Sequence, residues 1–257
     1  MSAAVTLSLR APLDGVLEAD GVTGDRFAQL SERDIAALPV VMRSSAATLG
    51  EFFTVRGGRS ADVRIEGDVS RVHRIGAGMT GGRIHVIGNV GDEAGLAMSG
   101  GVLQVDGNAG DRLGAASPGA SKGMSGGEII VSGSAGEDIG ARARRGLIVI
   151  GGDTGVDAAR AMVAGTLVVF GRTGARPGRG SKRGSIVALG DIDVPETYWL
   201  ACTYQPPFVR LLLTYLRRQH ALTIADRYLD GRYRRHCGDA GNPGRGEILE
   251  WVDINTR

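Results

Sequence analysis

Four histidines and two cysteines are the side chains of this chain best suited to hold a metal or to act as nucleophile and base, and their spacing supports neither role. His73, His85, His220 and His236 show no ligand-type spacing, and Cys202 and Cys237 lie in no CxxC pair and beside no histidine in a metal pattern. A row of acids, Asp92, Asp111 and Glu137, and the string GGDTGVD at 151–157 have the composition of a calcium turn, but the nine-residue period of such repeats is absent. Short polar side chains bonding their own turns account for these acids. The charge that remains is basic. Arg142, Arg144 and Arg145 form one run, and Arg172, Arg176, Arg179, Lys182 and Arg183 form another with no acid between them. A solvated corner or interface rim is the plain reading of these runs, and an anion site is the functional one. Nucleic acid is the less favoured anion, because no aromatics interleave with the arginines to stack on bases. No catalytic residue and no metal ligand is assigned.

What must position these residues is a repeat. Copies align at Gly58, Met79, Met98, Met124, Ala143, Met162 and Ser181, with steps of 21, 19, 26, 19, 19 and 19 residues. Three residues after each anchor stand Ala61, Gly82, Gly101, Gly127, Gly146, Gly165 and Gly184. Aliphatics follow at five (Val63, Ile84, Leu103, Ile129, Ile148, Leu167, Ile186) and at seven (Ile65, Val86, Val105, Val131, Ile150, Val169, Ala188), and then every copy has a glycine, Gly67 through Gly190. Aliphatics at spacing two share one face of a strand, while Arg64, Arg83, His85, Gln104 and Glu128 face the other way. Glycines at fixed offsets mark the corners. A constant period near 20 means that each copy buries its apolar face only by stacking on its neighbours. The expectation is an all-β-dominated chain: a right-handed parallel β-helix of about seven coils with period 19, an N-terminal α/β cap and a C-terminal helical cap. A left-handed hexapeptide helix is the rival, and it requires an aliphatic every six residues where here they cluster in one strand per copy.

Three segments follow from this division. Residues 1–57 form the N-terminal cap, with a strand at Val5 to Leu9, a helix around Arg26 to Leu38 and a strand at Phe52 to Val55. Residues 58–193 form the repeat. Residues 194–257 form a C-terminal cap and docking segment, rich in aromatics (Tyr198, Trp199, Tyr204, Phe208, Tyr215, Tyr228, Tyr233, Trp251), with an amphipathic helix from Pro207 through Leu211, Leu212 and Leu216. Both ends of a repeat stack need such covers. A hydrophobic content of 42% over 257 residues suffices for a core, and net charge is +2. No segment has the length of a membrane span or the pattern of a signal peptide, and two cysteines make no disulfide framework. A cytoplasmic protein is expected.

The strings Gly88-xx-Gly91-xxx-Gly95, Gly107-xx-Gly110-xxx-Gly114 and Gly133-xx-Gly136-xxx-Gly140 resemble the GxxGxxxG repeats of the C-terminal β-helix of glutamate synthase. With the M-x-G-G openings at Met79, Met98 and Met124, the insertion Ala115 to Ser121, and a tail of Tyr233-Arg-Arg, Gly238-Asp and Gly244-Arg-Gly-Glu-Ile, nearly the whole chain resembles the C-type subunit of formylmethanofuran dehydrogenase. That resemblance implies a place in one-carbon metabolism, formaldehyde oxidation and methylotrophy. The system is either a molybdenum or tungsten dehydrogenase, or the bacterial formyltransferase/hydrolase complex. The latter moves a formyl group from tetrahydromethanopterin to methanofuran and hydrolyses formylmethanofuran to formate. Twenty-eight arginines against two lysines, with abundant alanine and glycine, suggest a GC-rich bacterial genome and favour the second. The resemblance further implies a non-catalytic scaffold with no cofactor of its own, held with a formyltransferase subunit, a zinc amidohydrolase-like subunit and a B-type subunit, methanofuran and zinc being bound by the complex. If methanofuran carries a polyglutamate tail, Arg172, Arg176, Arg179, Lys182 and Arg183 are the candidates to guide it. A glutamate-synthase-type spacer domain and an independent β-helix carbohydrate enzyme are the other readings.

Overall fold

Parallel strands one repeat apart dominate the computed structural model, which describes residues 4–241 and 244–253. Before the repeat come β1 (Val5–Leu9), β2 (Leu17–Glu18), helices α1 (Gly24–Phe27) and α2 (Glu32–Ala36), β3 (Pro39–Met42), β4 (Ser45–Thr48), α3 (Leu49–Phe52) and β5 (Phe53–Arg56). The repeat supplies β6 (Asp62–Glu66), β7 (Val72–His73), β8 (Arg83–Ile87), β9 (Val102–Val105), β10 (Ser125–Val131), β11 (Arg145–Ile150), β12 (Thr166–Val169) and β13 (Ser185–Ala188). The C-terminal segment adds β14 (Trp199–Tyr204), α4 (Pro207–Gln219), α5 (Asp226–Leu229), β15 (Arg232–Gly238) and β16 (Gly246–Val252). Where one helix was expected around Arg26 to Leu38 there are two. Ser31 starts the second, its hydroxyl accepting from the Asp34 amide while the Asp34 carboxylate accepts from the Ser31 amide.

Twelve strands form one sheet in the order β14-β15-β16-β13-β12-β11-β10-β9-β8-β6-β1-β5. From β6 to β13 the pairing is parallel, and the register follows the sequence columns: Ile84 opposes Leu103, Leu103 opposes Ile129, Ile129 opposes Ile148, Ile148 opposes Leu167, and Leu167 opposes Ile186. A second row of parallel bridges joins Val69, Val90, Ala109, Ala135 and Thr154, one from each of the first five copies, and Thr173 with Ile192 of the last two. At the anchors a third row of backbone bonds runs from Ser99, Ser125, Arg144, Val163 and Lys182 N–H to the carbonyls of Met79, Met98, Met124, Ala143 and Met162. The chain therefore repeats its backbone bonding at these and further places in each copy, which satisfies the buried amides of a glycine-rich segment. A smaller sheet, β4-β3-β2-β7, closes beside the N-terminal copies.

Both columns of strand aliphatics are buried, together with the anchor methionines and Val69, Val90, Leu113 and Ile139, in one core. Each such side chain contributes roughly 1.5–3 kcal/mol of transfer free energy. The glycine three residues past every anchor but the first has a packing reason where the preceding anchor is methionine. A β-carbon on Gly127, whose φ is +85°, would stand 2.7 Å from Met98 Cε and 2.8 Å from the Gly101 carbonyl oxygen. Methyls of Met79, Met124 and Met162 approach Gly101, Gly146 and Gly184 in the same way. Methionine on one copy thus fills the space that glycine leaves on the next.

The ends are covered by strands of the flanking segments. At the first copy, β1 pairs parallel with β6 and β5 antiparallel with β1. At the last, β16 pairs parallel with β13, setting Ile248 opposite Ile186, and β15 and β14 follow antiparallel. A second apolar cluster lies on the other face of the sheet, where Ile130, Val149, Val168 and Val187 meet Val209, Leu213 and Leu216 of α4 together with Tyr233 and Leu249. Leu216 is buried as the amphipathic pattern requires, while Leu211 is 71% exposed.

Candidate functional site

The residues singled out by type fall apart when placed on this frame. Each histidine faces carboxylates at a different position: His85 Nε2 lies 2.9 Å from Asp106 Oδ1, His236 Nε2 lies 3.0 Å from Glu250 Oε2, and His73 stands 3.8–3.9 Å from Asp92 and Glu18. His220, nearly inaccessible, sits 2.8 Å from Glu128 Oε2, and the other oxygen of Glu128 accepts from the Tyr215 hydroxyl at 2.6 Å. That bond to Glu128, with burial adding to it, raises the Tyr215 phenol above its ordinary value. The Glu128 cluster fastens α4 to β10, so its polar groups serve the same clamp as the apolar cluster beside it. Among the described residues no three His, Cys, Asp or Glu side chains converge on a metal position. Cys202 and Cys237 are both free thiols.

The acids serve the backbone, in a way that repeat spacing alone determines. Asp92 Oδ1 accepts from the Asp111 amide and Asp111 Oδ1 from the Glu137 amide, each one copy further on. A parallel row runs Asn89 to Asn108, Asn108 to Ser134, Ser134 to Asp153 and Asp153 to the Arg172 amide. The expectation of bonds within their own turns is corrected here for Asp92 and Asp111, whose side chains cap amides of the next copy.

The long basic run is distributed over four environments. Arg176 and Arg179 are committed to Asp157, which accepts two bonds from Arg176 at 2.9 and 3.0 Å and one from Arg179 at 2.9 Å. These bonds, Arg176's foremost, hold the buried Asp157 carboxyl below its ordinary 3.8. Arg172 borders a recess with Asp191 and Asp193. Lys182 is exposed, its amide bonded to the Met162 carbonyl. Arg183 joins the other run: with Lys122, Arg144 and Arg145 it lines a groove of about 420 Å³ whose floor is Val163 and Ala164. No carboxylate lines that groove. Its form follows from the columns. Arg144–Arg145, Val163–Ala164 and Lys182–Arg183 occupy the same two positions on three successive copies, so the small middle pair leaves a trough with cations on either side. Those rims are two strand spacings apart, roughly 10 Å.

The C-terminal segment closes this end of the repeat with specific bonds. The buried Tyr198 hydroxyl donates to the Gly178 carbonyl at 2.9 Å, and burial pushes its phenol up to about 12. Asp239 accepts from the Gly180 amide at 2.8 Å; burial alone would raise this carboxyl, but bonds from the Gly180 and Gly241 amides and the Thr197 side chain together outweigh it and hold it low. Beyond these contacts β14 lies at the edge of the sheet, with Trp199 and Leu200 about half exposed at 51% and 56%. No helix among the described residues is long and apolar enough to cross a membrane.

No known protein-family profile matches the chain. Over 81 residues it is 43% identical to the C-type subunit of the molybdenum-containing formylmethanofuran dehydrogenase 1 of Methanothermobacter thermautotrophicus, a match covering 31% of this chain and 20% of that protein. Over 94 residues it is 40% identical to the corresponding C-type subunit from Methanosarcina barkeri, covering 35% of this chain and 31% of that one. The chain thus spans less than a third of the length of these curated relatives. A solved structure covers far more: a chain in the X-ray crystal structure of the formyltransferase/hydrolase complex (FhcABCD) from Methylorubrum extorquens in complex with methylofuran. It superposes with a TM-score of 0.81 and 33% identity over 96% of this chain and 100% of that one.

Proposed function

Because the chain belongs to the family of C-type subunits found in formylmethanofuran dehydrogenases and formyltransferase/hydrolase complexes, we propose that it is a non-catalytic structural subunit of such a formyltransferase/hydrolase complex. The observation that carries this reading is the likeness along both chains' full extent to a component of a solved formyltransferase/hydrolase assembly. In the proposed system a formyl group passes from formyl-tetrahydromethanopterin to methanofuran, and formylmethanofuran is hydrolysed to formate. The chemistry lies on a formyltransferase subunit and a zinc amidohydrolase-like subunit, and a B-type subunit joins them in the cytoplasmic assembly. Methanofuran and zinc belong to the complex, and this chain holds its partners in register. A molybdenum or tungsten dehydrogenase is the second reading, favoured by the curated relatives, whose matches cover only part of each protein.

The architecture suits a platform. We read residues 58–193 as a right-handed parallel β-helix of about seven coils, capped by 1–57 and 194–257, on the support of in-register parallel pairing and backbone bonds repeating at steps of 19. Every coil is bonded to both neighbours, so the stack resists bending and fixes distances between whatever docks along it. Fixing two active sites at a set separation lets a tethered carrier pass its formyl group by effective concentration instead of diffusion. The half-exposed Trp199 and Leu200 on edge strand β14 support docking through the C-terminal segment.

The basic corner is proposed as the guide for an acidic tail on the carrier. Within the expected set Arg172, Arg176, Arg179, Lys182 and Arg183, Arg183 stands in the carboxylate-free groove with Lys122, Arg144 and Arg145, while Arg176 and Arg179 already serve Asp157. Reversing Arg144, Arg145 and Arg183 to Glu together is the matching experiment. Formyl flux should fall several-fold in the assembled complex and lose its dependence on ionic strength. Unchanged flux in an intact complex would remove the guiding role.

A further inference from the structure

The single long step of the repeat, between Met98 and Met124, inserts Ala115 to Ser121, and this loop encloses a recess of about 160 Å³. Three guanidinium groups from three successive copies line it: Arg112, Arg142 and Arg160. Arg160 is held by two bonds from its Nε and Nη2 to Asp138, at 2.6 and 2.8 Å. Arg112 donates from Nη2 to the Ala116 carbonyl, inside the loop, at 2.9 Å. Its Nε forms an ion pair with Glu93 Oε1 at 2.9 Å. Arg142 makes one contact, a 3.4 Å bond to the Ala120 carbonyl, and has no carboxylate partner among the described residues.

One positive charge is left over: Asp138 pairs with Arg160, and Glu93, just behind, pairs with Arg112 and also with Arg74, which Glu18 and Asp20 serve as well. A guanidinium carries five N–H donors in a planar fork. Arg142 spends one of them, and weakly. Arg112 and Arg160 each have a carboxylate partner, so the unpaired charge of the lining is that of the exposed Arg142, whose fork geometry fits carboxylate or phosphate oxygens. The volume selects further. Sites for drug-sized ligands enclose about 300–1,000 Å³, so this recess matches a small acid in size.

We propose that the recess under the 115–121 insertion is a binding site for a small oxyanion, carboxylate or phosphate, held by Arg112, Arg142 and Arg160. The site stands apart from the basic groove, whose cations Arg144, Arg145 and Arg183 do not line it.

Calorimetric titration of the full chain at low ionic strength, with inorganic phosphate in one arm and glutarate in the other, tests it. Saturable one-to-one binding is expected in at least one arm, and the arm that binds distinguishes a tetrahedral from a planar anion. Arg142→Gln should weaken that binding at least tenfold, the loss of one charge-assisted bond, whereas Arg145→Gln should leave it unchanged. Failure of both anions to saturate, or a loss caused by Arg145→Gln and not by Arg142→Gln, would overturn the assignment. Should Arg142→Gln fold poorly, protease protection of the Ser117–Ala120 loop in the unmodified chain carries the same test. The binding anion should slow cleavage there, and no slowing at saturating phosphate or glutarate would refute the site.

Discussion

Asp157 shows at the level of one residue how this repeat manages charge. It adopts a left-handed backbone, φ +58°, as do Arg74, Glu93, Arg112, Asp138 and Arg176 at the matching position of other copies. Few side chains tolerate that region, and Asp and Asn are among those that do. Asp157→Asn therefore keeps the backbone while removing the charge that Arg176 and Arg179 share. The variant should lose about 1–3 kcal/mol in urea unfolding near neutral pH. Because Asp157 is held below 3.8 in the folded chain, its contribution is complete above that value and disappears as pH falls through the lower folded one. Melting temperatures recorded from pH 7 to pH 2 should drop more steeply on acidification in the unmodified chain than in Asp157→Asn. Parallel curves would show that Asp157 does not couple to folding. The Asp157 pairs were concealed in the primary sequence because a run read linearly has no acid in it. Subtracting one period from Arg176 gives Asp157, and the repeat itself was the signal.

At the scale of elements, the strands and their inward columns were legible because aliphatics at spacing two and glycines at fixed offsets constrain the backbone directly. The clamp by α4 was not, since it depends on which outward positions become apolar: Ile130, Val149, Val168 and Val187 in the later copies, where Arg64, His85 and Gln104 stand in the earlier ones. That gradient is visible in the columns once the helix is known to return over them. Leu213→Ala removes a fully buried side chain from this second cluster and should cost about 2–5 kcal/mol, measured by denaturant unfolding. A loss under about 1 kcal/mol would mean that α4 contributes little to the sheet. The methionine-to-glycine packing across copies was likewise invisible to composition, which shows abundant glycine without saying what occupies the space. Gly127→Ala should destabilise by at least the roughly 1–2 kcal/mol of a left-handed non-glycine residue. Met98→Ala should not restore it, because the Gly101 carbonyl remains 2.8 Å from the added carbon.

On the scale of the whole molecule, stacked copies are bonded at several repeating rows and both ends are covered by flanking strands, a geometry that suits the proposed holding role. Resemblance of motifs pointed to the family, and likeness over the full length to a component of a formyltransferase/hydrolase complex carries it further. What no column of residues could reveal is which surface meets which partner, since that is written in the partners' shapes. The most direct measurement is affinity purification of the tagged chain from its native cells, with mass spectrometry of the companions and a formyl-transfer assay on the eluate and on the chain alone. Formyltransferase and zinc hydrolase subunits are expected to co-purify, with activity in the eluate and none in the isolated chain. A solitary chain, companions of the glutamate synthase type, or activity from the chain by itself would contradict the scaffold account.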